Sequence, residues 1–265
     1  MDKNDAAAIL GWWTEAGVDT PFADAPIDRF AAALAPPPVA APRVEAPALG
    51  TDPVRPARPA APPPAEAAKS ARLLAAGAAT LDQLRAAMAS FDGCALKSTA
   101  TQLVFADGNP AASILLVGEA PGADEDRTGK PFVGRAGHLL DKMLAAIGLD
   151  RTQVYIVNVV PWRPPGNRTP TPQETAICLP FVRRQIELVG PKILVCLGAA
   201  AAQTMLGVKE GILRTRGRWF DYSGAAGPIP TLATLHPAYL LRQPLQKRLA
   251  WADLLKLKEK IEGMG

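Results

Sequence analysis

Four short runs of apolar residues, each ending in a polar or turn residue, constrain the fold of this chain more than any other feature of its sequence. They are S-I-L-L-V-G (113–118), V-Y-I-V-N-V-V (154–160), K-I-L-V-C-L-G (192–198) and T-L-A-T-L-H (231–236). Continuous apolar runs of this length, rich in Val, Ile and Leu, are typical of strands that are buried on both faces.

Segments with helical spacing of apolar residues lie around these runs. They cover residues 70–91, with a break near Gly77, and residues 136–148, 171–188, 200–207 and 247–261. Strands that alternate with helices predict a parallel sheet covered on both faces. We therefore expect an α/β fold, a three-layer α/β/α sandwich around a short, mostly parallel four-stranded sheet.

The N-terminal quarter of the chain has a different composition. Residues 36–64 contain 11 prolines, which packed elements do not tolerate, so we interpret residues 36–69 as an extended linker rich in proline and alanine. Residues 1–35 form an arm in which Ile9, Trp12 and Trp13 share one side of a possible short helix. The arm either docks on an unknown protein partner or its own domain, or is a plain tail. One folded domain is expected over residues 70–265.

Cysteine content and hydrophobicity predict the compartment. The three cysteines, Cys94, Cys178 and Cys196, are too few and too scattered for a disulfide framework, which indicates a reducing environment. The first residues do not resemble a signal peptide, and no apolar run approaches the roughly 18 residues of a membrane span. We expect a cytoplasmic monomer without membrane contact.

Charge is distributed unevenly along the chain. Residues 1–94 carry 8 Lys and Arg against 11 Asp and Glu, a net charge of −3, whereas residues 95–265 carry 21 against 14, a net charge of +7. A basic domain suits a polyanionic partner such as nucleic acid, although many other enzymes are equally basic. Charge alone leaves both interpretations open.

Polar and turn residues stand where the four predicted strands end. They are Glu119, Asn158, Gly198 and His236. In open parallel sheets, ligands bind at the carboxyl ends of the strands, so these residues are expected to converge on one site.

Motifs for phosphate binding are missing from this predicted site. The patterns G-x-G-x-x-G and G-K-[ST] do not occur, and the turn after Glu119 carries three consecutive acids at 124–126 that would repel a phosphate. The loop is therefore predicted to hold a neutral ligand or to orient water.

Three side chains suggest what the neutral ligand is. The amide of Asn158 can pair with the amide-like edge of a ring, Phe132 can stack on a flat ring, and His236, held by Pro237, can reach an oxygen on which negative charge develops. Each has a purely structural interpretation as well, as a turn former, a core residue or a strand terminus. Their joint placement favours a nucleobase that leaves as an anion.

Four motifs then identify a family. They are G-E-A-P-G-A-D-E-D (118–126), G-K-P-F-V-G-R-A-G (129–137), V-N-V-V-P-W-R-P-P-G-N-R (157–168) and H-P-A-Y-L-L-R (236–242). In this order and spacing, the chain resembles the uracil-DNA glycosylase superfamily, in particular its family 4 type. The resemblance extends from about Phe91 to the last helix and does not include the first 70 residues.

This resemblance implies a DNA glycosylase of base excision repair. Such an enzyme flips uracil out of single- or double-stranded DNA and hydrolyses its N-glycosidic bond, which leaves an abasic site. By resemblance, Phe132 stacks on uracil, Asn158 binds its N3–H and O4 edge, and His236 donates to the O2 of the departing anion. Glu119 and Asn167 are expected to place the water and the sugar.

Further roles follow from the same resemblance. Ala120 lies beside the uracil, at the place where the best-known superfamily members carry an aspartate as general base, so we expect a weak base or an oriented water. Leu240, Leu241 and Arg242 are expected to form a wedge that fills the vacated base stack and holds phosphate. Glu125 matches a position implicated in the family.

The chain departs from the family in its metal ligands. Family 4 enzymes usually hold a [4Fe–4S] cluster with four cysteines, and the matching positions here are Phe91, Cys94, Trp162 and Cys178. Because only two ligands remain, we expect no cluster and no metal, with aromatic side chains in its place. The alternative is an incomplete metal site formed by Cys94, Cys178 and an acid such as Asp92.

Two other functions stay open at this point. The missing aspartate and cluster are compatible with a non-catalytic protein that senses uracil in DNA. A covalent uracil trap is disfavoured because the segment 161–168 contains no histidine that could act as the nucleophile. The range of substrates also stays open to other deaminated bases, such as hypoxanthine or xanthine.

Overall fold

The computed structural model describes residues 63–264, which belong to one compact unit, Arg58–Gly265. Within this part of the chain the helices are α1 (Pro64–Gly77), α2 (Leu81–Ser90), α3 (Ala123–Thr128), α4 (Arg135–Ala145), α5 (Pro172–Val189), α6 (Ala199–Leu206), α7 (Ile212–Thr215), α8 (Pro237–Arg242) and α9 (Lys247–Glu262). The strands are β1 (Asp107–Gly108), β2 (Ile114–Gly118), β3 (Val154–Asn158), β4 (Ile193–Leu197), β5 (Trp219–Gly224) and β6 (Gly227–Thr234). None of the described helices is long and apolar enough to cross a membrane.

The predicted parallel strands form the centre of a single sheet. The strand order in the described residues is β1-β3-β2-β4-β6-β5, in which β3, β2, β4 and β6 are parallel. The short strands β1 and β5 add antiparallel edges, so the sheet has six strands and the expected count of four was too low. Strand β1 has only two residues and β5 is half-exposed, so neither produces an apolar run in the sequence.

Alternation along each strand creates two hydrophobic layers. On β2, Leu115 and Val117 face the layer formed by α1, α2, α5 and α6, whereas Ile114 and Leu116 face the layer formed by α4, α8 and α9. Both faces of the central strands are thus buried, which explains why their sequences are continuously apolar. The three-layer α/β/α sandwich is confirmed.

The domain begins earlier than the sequence suggests. Helix α1 starts at Pro64, so residues 64–69, assigned to the linker, are helical. Its alanines at 67, 71 and 75 are spaced by four residues and buried, which allows α1 to lie close to α5. Thr80 caps α2, and this confirms the predicted break near Gly77. The expectations for residues 1–35 and 36–62 lie outside the described residues.

A buried ion pair attaches the last helix to the sheet. The carboxylate of Asp253, which is completely buried, accepts from Arg216 and from the Thr234 hydroxyl at 2.7 Å. The network joins α9 to the end of β6 and to the loop that precedes β5. It holds the strand end from which the chain continues to His236.

Replacement of Asp253 by alanine leaves the largely buried Arg216 without its carboxylate. We expect the D253A variant to lose roughly 3–5 kcal/mol of unfolding free energy, because an unpaired buried charge is costly. Urea denaturation measures the loss. The matched control is E262A on the same helix, where Glu262 forms an exposed pair with Lys258 and contributes at most about 1 kcal/mol. Equal losses in the two variants would contradict this role of Asp253.

Candidate active site

A cavity of about 460 Å³ opens at the carboxyl edge of the parallel strands. It is lined by most of the residues proposed from the sequence: Glu119, Ala120, Glu125, Phe132, Asn158, Asn167, His236 and Arg242. Its remaining walls include Thr169 and Tyr239, which the sequence analysis did not propose. Strand order explains why Glu119, Asn158 and His236 converge, because β2, β3 and β6 end at this edge, whereas Gly198 after β4 does not line the cavity.

Asn158 brings an unsatisfied amide to the cavity. Its side chain is only 4% exposed, and its Oδ1 has no hydrogen-bond partner within residues 63–264. A buried acceptor left without a donor costs about 1–3 kcal/mol, and folded proteins rarely tolerate it outside functional sites. The free Oδ1 therefore provides an acceptor for a donor on a ligand.

Gly118 pairs with Asn158 across the sheet, and its lack of a side chain allows the Asn158 amide and the Phe132 ring to lie close to it. A Cβ atom at Gly118 would lie 2.3 Å from Asn158 Oδ1 and 2.6 Å from ring atoms of Phe132. Any side chain at this position would displace the amide or the ring. The glycine at the end of β2 thus makes room for side chains that belong to the cavity.

Phe132 and His236 provide two ring walls. Their ring centroids are 5.5 Å apart, with an angle of 31° between the planes. Phe132 is 5% exposed and has a φ of 55°, a left-handed conformation that is uncommon for a bulky residue. An aromatic wall beside a free amide suits a planar ring with polar edges.

His236 is held as a neutral hydrogen-bond donor. It precedes α8 as its N-cap, and its Nδ1 accepts from the backbone N–H of Ala238 at 3.1 Å. This bond leaves Nε2 as the protonated nitrogen of the neutral ring. Burial, together with the nearby positive charge of Arg242, lowers the pKa of His236 to about 4. Near neutral pH the ring therefore donates without carrying charge.

Glu119 and Asn167 stand on two loops at the cavity. Burial raises the pKa of Glu119, and a hydrogen bond from the Thr169 side chain opposes that rise in part. The backbone carbonyl of Glu119 accepts from Val160 at 3.0 Å, which ties this loop to the segment after β3. Asn167 is exposed, has a φ of 56°, and accepts from Arg163 at 2.7 Å.

The acids of the first loop bind backbone donors. The buried carboxylate of Glu125 accepts from the N–H groups of Gly122 at 3.0 Å, Val133 at 3.0 Å and Gly134 at 2.9 Å. It therefore joins the glycine turn to the segment that carries Phe132. Glu125 is the one of the three acids that lines the cavity.

The other two acids do not line the cavity. Asp126 is buried and accepts from the backbone N–H and the hydroxyl of Thr101, both at 2.8 Å. Asp124 is exposed and pairs with Arg127 at 3.4 Å. These bonds explain how a turn rich in negative charge can be stable, and they occur in α3, a short helix that the sequence analysis did not anticipate.

The expected wedge is only partly placed as proposed. Leu240 is 1% exposed and packs beneath α8 against α4, so it cannot enter a base stack, and that expectation is wrong. Leu241 is 36% exposed, and Arg242 is exposed and lines the cavity. Successive helical residues point about 100° apart, so the helix buries one leucine and exposes the next.

Aromatic rings occupy the positions that match cluster ligands in family 4. Phe91 and Trp162 are buried, with ring centroids 6.4 Å apart, and the Sγ atoms of Cys94 and Cys178 are 3.8 Å apart. A four-iron cluster needs four ligands, and this set offers two thiols. The residues present do not fit the cluster.

The alternative metal site also lacks a third ligand. The side chain of Asp92 is 88% exposed and pairs with Lys97 at 2.7 Å. Among the described residues, no group of three or more His, Cys, Asp or Glu side chains is placed to hold a metal ion. Hydrogen bonding to Cys94, together with burial, raises the pKa of Cys178 well above its ordinary value.

Comparison with known proteins agrees with this geometry. The chain is 45% identical over 175 residues to a "Type-4 uracil-DNA glycosylase" of Thermotoga maritima, a match covering 65% of this chain and 90% of that protein. It is 41% identical over 184 residues to a protein of the same description from Archaeoglobus fulgidus, covering 68% and 92%. The model of the "Uracil DNA glycosylase superfamily" matches residues 105–255, which contain every residue lining the cavity. The chain belongs to the uracil DNA glycosylase superfamily.

Proposed function

We propose that this protein is a monofunctional uracil-DNA glycosylase that extrudes deoxyuridine from DNA and hydrolyses its N-glycosidic bond, leaving an abasic site. The observation that carries the proposal is the unpaired Oδ1 of Asn158 beside the ring of Phe132. Uracil offers a flat ring with an N3–H donor next to the O4 acceptor, and one amide can bind both. Burial of the amide makes a base without that donor unfavourable.

Cleavage of the bond generates negative charge on uracil and positive charge on the sugar. The neutral Nε2–H of His236 donates to uracil O2 as the bond breaks, and a preformed donor in a buried site is an efficient form of transition-state stabilisation. Ionised Glu119 orients the attacking water and stabilises the sugar cation. Ala120 supplies no base, so most of the stabilisation in this mechanism is electrostatic.

DNA approaches the cavity from the side of α8. Arg242 lies at the cavity and is exposed, so it can bind a phosphate next to the flipped nucleotide. Leu241 is the exposed apolar residue beside it and can fill the vacated position in the base stack. The net charge of +7 over residues 95–265 favours binding of either single- or double-stranded DNA.

Strand breakage at a single uracil tests the activity. An end-labelled oligonucleotide with one uracil is incubated with the protein and then treated with alkali. H236A should slow the excision by roughly 10²–10³-fold, because it removes a donor to the developing anion. Asparagine is a good helix N-cap, so H236N separates the loss of the imidazole donor from the loss of the α8 N-cap.

H138A is the matched control, since His138 is exposed and does not line the cavity. Its excision rate should equal that of the wild type. Unchanged excision by H236A would contradict the assigned role. Tight uracil-dependent binding without breakage would favour a non-catalytic sensor, which the alanine at position 120 makes the second candidate function.

The rate of excision should depend on pH through Glu119. This carboxylate acts in its ionised form, and burial raises its pKa, so the rate is expected to fall as the pH drops through that raised value. His236 acts as the neutral form and, with a pKa of about 4, adds no loss at higher pH. Single-turnover rates are measured from about pH 4 to pH 8. In E119Q, the fall in rate caused by protonation of Glu119 should disappear. If the same fall in rate persists in E119Q, it belongs to another group and contradicts this role of Glu119.

The proposed enzyme contains no iron–sulfur cluster. This proposal is supported by the residues at the four ligand positions. Phe91 and Trp162 occupy two of them, so only the thiols of Cys94 and Cys178 remain. C178A should therefore keep its excision rate within about threefold, and its unfolding free energy should fall by roughly 1 kcal/mol as a small packing loss. C196A, which alters an equally buried cysteine in β4, is the matched control. Stoichiometric iron and sulfide in the wild type, lost together with activity in C178A alone, would overturn the proposal.

A further inference from the structure

Arg151 lies outside the cavity but binds the backbone that carries one of its walls. It begins a short 3₁₀ turn before β3, and its side chain is 24% exposed. Its guanidinium donates to the carbonyl of Pro131 at 3.3 Å and to the carbonyl of Phe132. The guanidinium also donates to two carboxylates, that of Asp107 at 2.6 Å and that of Asp141 at 2.7 Å.

The backbone held in this way is strained. Phe132 has a φ of 55°, and a non-glycine residue in that conformation is unfavourable unless its surroundings hold it there. Helix α4 packs closely against this residue from one side, because a Cβ atom at Gly137 would lie 1.7 Å from the Phe132 carbonyl oxygen. Arg151 binds the same oxygen, so contacts from both α4 and Arg151 fix this carbonyl.

The charge of Arg151 is secured by its partners. Burial disfavours the charged guanidinium, but its hydrogen bonds to Asp141 and Asp107 outweigh this effect and raise the pKa of Arg151. The planar fork serves two carbonyls and two carboxylates at once, which the single point charge of a lysine cannot do. The arrangement therefore requires arginine.

We infer that Arg151 is a positioning residue that sets the orientation of the Phe132 ring against the extruded base, acting through the Phe132 carbonyl. The inference rests on the proposed function, in which that ring stacks on uracil. A ring displaced by about 1 Å can lose roughly 10²-fold in rate even when every group that contacts the substrate is intact. Arg151 touches no substrate in this arrangement and acts only through Phe132.

A double-mutant cycle tests the inference. Excision is measured under single-turnover conditions for the wild type, R151M, F132L and R151M/F132L, together with the melting temperature of each. R151M should slow excision roughly 10- to 100-fold when Phe132 is present. In the F132L background the same change should alter the rate less than about threefold, because no aromatic ring is left to orient. Equal losses in both backgrounds, or no loss in either, overturn the inference.

The matched control is R184M. The side chain of Arg184 is 26% exposed and binds the carbonyl of Ala78 and the carboxylate of Glu187, but it does not line the cavity. This variant should lose stability without a specific loss of excision.

If R151M fails to fold, R151K keeps the charge and should show the same dependence on Phe132. G137A displaces the Phe132 carbonyl from the other side, so the loss of excision rate in G137A/R151M should not exceed the loss in R151M.

Failure of the proposed function is distinguishable from failure of this inference. If the wild type leaves uracil in place, the glycosylase activity is refuted, and affinity for an uncleavable uracil oligonucleotide then replaces the rate in the same cycle. The crystal structure of R151M tests positioning without any activity. An unmoved Phe132 ring in that structure overturns the inference, and a displaced ring supports it.

Discussion

The carboxamide of Asn158 is the group on which the rest of the site depends. The register of β2 and β3 places it opposite Gly118, at a buried sheet edge where its Oδ1 finds no partner in residues 63–264. Stability alone would favour an apolar residue here, since an orphaned acceptor weakens the fold. The surrounding structure keeps the amide free by placing glycine next to it and an aromatic ring above it. A bound base can supply the missing donor and so recover the cost in the complex.

Negative charge near the site organises the backbone. Glycine turns after parallel strands often present N–H groups to phosphate, but here the side chain of Glu125 binds the Gly122 N–H of that turn, and Asp126 binds the N–H of Thr101 outside it. Glu125 links the turn to residues 133–134, and Arg151 holds the carbonyl of Phe132 on the other side of that segment. The wall of the cavity is therefore fixed by one anion and one cation, both outside direct contact with the proposed reacting atoms.

The sequence predicted the central sheet because short, continuous apolar runs between helical segments are typical of strands buried on both faces. It also predicted that Glu119, Asn158 and His236 gather at the cavity, because parallel strands end at one edge. It missed β1 and α3, which are too short to show periodicity, and it placed Leu240 in the wedge because two adjacent leucines cannot be told apart without the helix. Arg151 escaped notice because its partners Asp107 and Asp141 lie 44 and 10 residues away in sequence.

The rings of Phe91 and Trp162 pack at the base of the loop that leads to Asn167. Phe181 packs edge-on against Phe91 at 5.2 Å between centroids, so three rings form one buried cluster. Trp162 stands just before the turn that carries Asn167, and its neighbour Pro161 accepts from Val104 at 2.9 Å. Dispersion among large rings is distributed over many contacts, and it helps to hold this loop. The residues of the proposed chemistry, Glu119, Asn158 and His236, are positioned separately, by strand ends and by the start of α8.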